Sequence, residues 1–178
     1  EGVLHTTDEA GFHVGFAVTQ REEITLVLPP TNTLGSYARR NQQADGVRRR
    51  RASPYKAGHL VYWVPDQAMW DKNARFYVER LGFKPTDNST NMRFMRAGGS
   101  HDHHTLLMQW EPGVWGFQHV AYEFKDFDEV MYLGTHMEEQ GWRTNTGPLR
   151  HNISSTCSWY IWNPAGGVSE AYSDMDYV

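Results

Sequence analysis

The chain has 178 residues, with 17 Lys and Arg against 21 Asp and Glu, nine His and a single Cys. That length is one ordinary domain, or one with an appended piece; a single cysteine excludes a disulfide framework and Cys-based zinc or iron–sulfur sites and fits a reducing cytoplasm. The net charge of −4 gives no global pull toward nucleic acid, and no apolar run approaches the roughly 20 residues of a membrane span, so a cytoplasmic protein with no nucleic-acid or membrane partner is expected.

Taken in chain order, Phe12–Val18 and Ile24–Leu28 read as two short strands, bounded by Thr19-Gln20-Arg21 and by Pro29-Pro30. Two strands are marginal alone. Residues 1–38 are therefore expected to be a partial N-terminal sheet segment, the tail of a larger sheet or an edge added to another. With a first residue of Glu1 and no basic-then-apolar leader, the chain is expected to be processed, trimmed or partial. Residues 39–56 hold Arg39, Arg40, Arg48, Arg49, Arg50, Arg51 and Lys56 against Asp45 alone, a charge of +6 that leaves −10 for the rest. The segment lacks apolar periodicity, and no aromatic residues interleave with the arginines to stack bases, so it reads as a solvated linker.

From residue 57 a pattern occurs twice. Gly58-His59-Leu60-Val61-Tyr62-Trp63-Val64 is an apolar strand. Asp66 then opens a segment with Trp70, Ala74, Tyr77, Val78 and Leu81 at helical spacing, which Gly82 closes. Strand-like pieces follow at Met92–Arg96 and His104–Gln109. The second copy runs from the strand Phe117–Phe124 through a helix with Phe127, Val130, Met131, Gly134 and Met137 on one face to Gly141, then to Thr156–Trp162 and Val168–Ser173. The interval from strand histidine to closing glycine, His59 to Gly82 in the first copy and His119 to Gly141 in the second, agrees to within a single position. The unit is strand, helix, then two or three strands, and the expected fold is α+β: two tandem βαβββ modules, 57–112 and 113–178, with a mixed sheet around a metal-centred cavity.

Both copies place a histidine at the same point of their first strand, His59 and His119. A single histidine on an apolar strand is usually a hydrogen-bonded core residue, but two at equivalent points of a duplication converge about an approximate two-fold axis, and neutral imidazole is the commonest transition-metal ligand. Glu170, in the last strand between Ser169 and Ala171, is an acid whose burial is costly unless it is paired or metal-bound. Two histidines and one carboxylate make the facial triad of non-haem Fe(II).

Gly58-His59-Leu60, Gln118-His119-Val120 and Glu170-Ala171-Tyr172 stand in the order and approximate spacing of known ligand motifs. In these motifs the chain resembles the type I extradiol ring-cleaving dioxygenases, the catechol 2,3-dioxygenase group of the vicinal oxygen chelate superfamily, with its glyoxalase/bleomycin-resistance/dioxygenase-like fold. The resemblance covers Ala57–Val178 and implies either a partial chain lacking most of an N-terminal domain or a naturally short form. It implies metal ligation by His59, His119 and Glu170. It also implies an acid–base role for His104, one strand ahead of His119, and contacts to substrate oxygens from His151 and Tyr160, which precede Glu170 in the second copy. The chain departs from the family at Asn163-Pro164-Ala165-Gly166-Gly167, where Asp-Pro-Asp-Gly-His is common; the turn chemistry survives and a polar side chain is lost.

The resemblance further implies Fe(II) as cofactor, with Mn(II) possible on the same ligands, and a small aromatic diol and O₂ as partners. The ring would open beside the diol to a muconic semialdehyde-type product in aromatic-compound degradation, in a protein expected to be a homo-oligomer. Trp110, Trp115, Trp159 and Trp162 are candidates to wall the pocket, with plain core packing as the alternative. Two other readings compete: a glyoxalase-like metal isomerase, which wants a second glutamate that Thr105–Gln109 lacks, and a metal-free small-molecule-binding module.

Overall fold

Each expected helix begins at an aspartate whose side chain closes the first turn, and each lies across one face of its own strands. The computed structural model describes residues 2–20, 22, 25, 30–44 and 52–178. The chain divides into two compact units, one made of Glu1–Glu23, His59–Val120 and Asp176–Val178, the other of Ile24–Gly58 and Ala121–Met175.

In the first unit, strand β3 (Lys56–Val64) leads to helix α1 (Gln67–Arg75), after a hairpin of β1 (Leu4–Thr7) and β2 (His13–Phe16). Asp66 caps α1 by accepting the Met69 N–H at 2.8 Å. The helix continues as a π-helical turn, Phe76–Arg80, whose wider pitch buries both Phe76 and Tyr77. Strands β4 (Lys84–Asn88), β5 (Met92–Arg96) and β6 (Leu106–Trp110) follow. Their order is β4-β5-β6-β3, with β6 returning parallel to β3 in the register Leu60↔Leu106 to Val64↔Trp110. Tyr62 and Val64 pack with Trp70, Ala74 and Tyr77 in the core. Strand side chains alternate, so α1 covers the Tyr62/Val64 face and His59 projects from the other.

At the N-terminus the structure has a strand, Leu4–Thr7, that the sequence does not suggest. The expected strand Phe12–Val18 shortens to His13–Phe16 and pairs with Leu4–Thr7; Ile24 and Leu26–Leu28 lie outside the described residues, as do Arg48–Arg51. Asp8 sets the turn. It accepts the Ala10 and Phe12 N–H groups at 3.0 and 2.9 Å, and its second oxygen accepts from Asn73 Nδ2 and Tyr77 Oη, both at 3.0 Å. This buried carboxylate ties the hairpin to α1, and the satisfied hydrogen bonds offset its desolvation.

In the second unit, the end of β7 (Gly116–Glu123) leads to helix α2 (Phe127–Glu139), capped by Asp126 accepting the Glu129 N–H at 3.0 Å. Strands β8 (Thr144–Arg150), β9 (Cys157–Trp162) and β10 (Val168–Ser173) pair antiparallel in the order β10-β9-β8. Val130 of α2 packs on Trp159, Ile161 and Ala171. Gly134 allows this approach: a Cβ there would lie 2.0 Å from the Trp159 ring. Phe127, expected on the packed face, is 45% exposed because it occupies the first turn, outside the contact. Since Trp159, Ile161 and Ala171 face α2, alternation turns Tyr160 and Glu170, paired across β9 and β10, to the opposite face. The chain is thus α+β, each βαβββ module contributing one helix and its strands. No helix among the described residues is long and apolar enough to cross a membrane.

Candidate metal centre

In the first unit, His59 on β3 and His119 on β7 are both buried, with their Nε2 atoms 3.4 Å apart. Gln118 Oε1 lies in close contact with His119 Nδ1. The amide oxygen accepts the Nδ1 proton and leaves the Nε2 of His119 as a lone pair, the form that binds metal. His104, just before β6, is buried, and its ring meets that of His59 with 4.2 Å between centroids. Its Nδ1 is 3.0 Å from His103 Nδ1.

In the second unit, Glu170 is 2% exposed on β10, opposite Tyr160. The Tyr160 hydroxyl and His151 Nε2 are 2.9 Å apart, and the same nitrogen is 3.9 Å from Glu170 Oε1. Burial, and next the Glu170 charge, push the Tyr160 phenol well above its ordinary pKa. It therefore keeps its O–H at neutral pH. The His151 backbone N–H donates to the Thr156 carbonyl at 2.9 Å, and Ser154 and Ser155 between them hold left-handed φ values of 70° and 57°. Two consecutive non-glycine residues in that region shape the loop that carries His151.

His59 and His119 in the first unit, and Glu170 in the second, are each buried side chains of types that ligate metal. The donor set fits a divalent transition metal: two imidazoles and one carboxylate carry a combined charge of −1, and a buried carboxylate is stabilised by a cation. The four tryptophans divide, and Trp110 packs against the core of the first unit. Trp159 belongs to the α2 core. Trp115 is 56% exposed, stacks on Phe12 and donates from Nε1 to the Ala10 carbonyl at 2.8 Å, so it belongs to the N-terminal hairpin. Trp162 is 41% exposed beneath Arg143.

Two residues without an expected role stand beside the site. Gln118 lies within Gln118-His119-Val120, but nothing in those three residues shows where its amide reaches. His103, to which the sequence assigns no role, is 6% exposed and packed against His104; its signal in the sequence is the His103-His104 doublet.

Residues 56–158 match the sequence model of the Glyoxalase/Bleomycin resistance protein/Dioxygenase superfamily. Metapyrocatechase 2 of Cupriavidus necator is 27% identical over 129 residues, covering 72% of this chain and 39% of the relative. Among solved structures, the Mn(II)-bound glyoxalase from Novosphingobium aromaticivorans aligns with a TM-score of 0.64 at 27% identity, covering 79% of this chain and 43% of the other. The complex of homoprotocatechuate 2,3-dioxygenase from Brevibacterium fuscum with 3,4-dihydroxyphenylacetate aligns with a TM-score of 0.64 at 20% identity over 72% and 39%, a likeness of fold. The chain thus spans about two fifths of the length of these relatives.

Proposed function

Because the chain belongs to the Glyoxalase/Bleomycin resistance protein/Dioxygenase superfamily, we propose that it carries the catalytic part of a non-haem extradiol dioxygenase. In this reading His59, His119 and Glu170 hold Fe(II), or Mn(II) in its place, and a catecholic ring and O₂ are the substrates. The observation that carries the reading is the pair of buried histidines with Nε2 atoms 3.4 Å apart; in the second unit, buried Glu170 with the hydrogen-bonded His151–Tyr160 pair beside it supports the same reading.

A divalent metal held by His59, His119 and Glu170 would supply Lewis acidity, lowering the pKa of the diol hydroxyls, and open positions for the reactants. The chain's own residues do the rest. His104 accepts a proton from the diol and returns one as the ring opens beside the two hydroxyls, acid–base work worth about 10²–10⁴ in rate. Tyr160, held protonated, donates from Oη to oxygen on which charge develops, and His151 orients that phenol. The product is a muconic semialdehyde-type compound.

The likeness to a glyoxalase at 27% identity favours a second reading, a metal isomerase. Against it, β6 of the first module, Leu106-Leu107-Met108-Gln109-Trp110, has no acid to serve as a fourth ligand. Anaerobic reconstitution with Fe(II), followed by oxygen uptake over a panel of catechols, tests the proposal. Uptake matched to a new absorbance is expected, and His104→Phe should retain iron while slowing turnover by at least about 100-fold. A stoichiometrically iron-loaded chain that consumes no oxygen with any catechol sinks the dioxygenase reading; a purified chain that retains no metal leaves a small-molecule binder instead.

A further inference from the structure

His103 stands between a carboxylate and His104. Its Nδ1 is 3.0 Å from His104 Nδ1, and its Nε2 is 3.8 Å from Asp87 Oδ2. Its backbone N–H donates to the Asp176 carbonyl at 2.8 Å. The Phe94 ring meets both imidazoles edge-on, at centroid distances of 5.5 Å to His103 and 5.1 Å to His104. The two rings are therefore confined by packing as well as by polar contacts.

Two imidazole nitrogens at this distance require one N–H and one lone pair. Asp87 decides which nitrogen has which. A lone pair on His103 Nε2 would face a carboxylate and be repelled, so the proton of a neutral His103 belongs on Nε2. Burial favours that neutral form, lowering the His103 pKa against the opposing pull of Asp87 and Asp176. His103 Nδ1 is then an acceptor, and His104 must donate to it from its own Nδ1. The remaining lone pair of His104 lies on Nε2.

We propose that His103 is a positioning residue: together with Asp87 it holds His104 in the Nδ1–H tautomer, so that His104 Nε2 is the atom that accepts the substrate proton. The proposal rests on the acid–base role of His104 argued above and adds the groups that set its proton. An outer partner of this kind affects activity by about 10–100-fold where it orients a metal-site imidazole.

The test reads the tautomer independently of turnover, from long-range ¹H–¹⁵N correlations of the imidazoles in the ¹⁵N-labelled full chain without added metal. His104 is expected to show the Nδ1–H pattern. His103→Asn, whose side-chain oxygen replaces the Nδ1 acceptor, should keep that pattern and stay within about threefold of wild-type kcat. His103→Phe should mix the two tautomers and lower kcat by about 10–100-fold with KM unchanged. Asp87→Lys, at a half-exposed edge-strand position, should raise the share of Nε2–H on His104 without touching the core. An Nε2–H pattern in the wild type, or no change with Asp87→Lys, overturns the proposal. So does His103→Asn matching His103→Phe in both readouts. An iron-loaded wild type inert toward catechols overturns the dioxygenase reading instead, and the tautomer pattern still decides the relay.

Discussion

Gly58 precedes His59, and Tyr172 follows Glu170 closely on β10; the structure joins these two sequence motifs at one point of contact. A Cβ added at Gly58 would lie 1.9 Å from Tyr172 Oη and 2.6 Å from Cε1 and Cζ. Ordinary contact begins near 3.4 Å, so Gly58→Ala requires the ring or β3 to move by the whole of that shortfall. Tyr172 is 0% exposed and packed with Ala121 and Met175, so the ring has little space to enter. Overpacking of this kind costs about 1–3 kcal/mol, and the stiffer unfolded chain returns about 0.5–1 kcal/mol. A net loss of about 1–2 kcal/mol is expected, which for a chain of this size lowers Tm by about 2–8 °C. Tyr172→Phe removes the nearest atom and leaves only the milder approach to the ring carbons, so the double variant should recover about 0.5–1 kcal/mol relative to the sum of the single changes. Thermal and urea unfolding of the four members of the cycle, with metal content measured in parallel, provide the assay. A Gly58→Ala chain as stable as wild type refutes the packing argument. An unchanged cost of Gly58→Ala in the Tyr172→Phe background refutes the assignment of the clash to the hydroxyl.

Replacing His59 or His119 with Ala, or Glu170 with Gln, should reduce retained metal to below about one tenth of wild type while circular dichroism is preserved; stoichiometric metal in any one of them removes that residue from the ligand set. Asp8→Ala leaves Asn73 and Tyr77 without their buried acceptor and should cost about 2–3 kcal/mol. Its signature is faster amide exchange in Leu4–Thr7 and His13–Phe16, and unaltered exchange there would show that Asp8 does not anchor the hairpin. Stability should also fall as pH rises above about 10, at up to about 1.4 kcal/mol per pH unit for each buried tyrosine. The sign follows from Tyr160, whose pKa is raised in the folded state above the ordinary 10.0: the unfolded phenol ionises first, so alkali favours unfolding. Tyr160→Phe should make that alkaline slope shallower, and an unchanged slope would show that Tyr160 ionises as an exposed phenol does.

The two helices, the duplication and the faces of β3, β7 and β10 were legible because burial imposes a period on the sequence. Apolar residues recur at helical spacing in α1 and α2, and alternation along Leu60-Val61-Tyr62-Trp63-Val64 separates the helix-covered face from the histidine face. Strands β4 and β8 carried no such signal. Lys84-Pro85-Thr86-Asp87-Asn88 and Thr144-Asn145-Thr146-Gly147-Pro148-Leu149-Arg150 are the outermost strands of their units and largely exposed, so neither is required to alternate. The π-helical turn was hidden for a related reason: Tyr77 and Leu81 keep helical spacing through it, and the only change is that Phe76 also turns inward.

The site divides in the same way. Coordination chemistry admits few residue types, so His59, His119 and Glu170 stand out in an apolar strand as soon as the repeat is seen. The groups that set the protons on His119 and His104 face no such restriction, because an amide, a carboxylate or another imidazole can each fill the role. Gln118 reaches His119 Nδ1 from the adjacent position, and Asp87 reaches His103 from a neighbouring part of the same unit. The proposed ligands are therefore written in residue identity, and the groups behind them in geometry. If the proposed ligands and tautomer hold, a variant that preserves every ligand still loses activity by reversing one tautomer, which makes Asp87, exposed on an edge strand and outside the proposed ligand set, the most informative position to perturb.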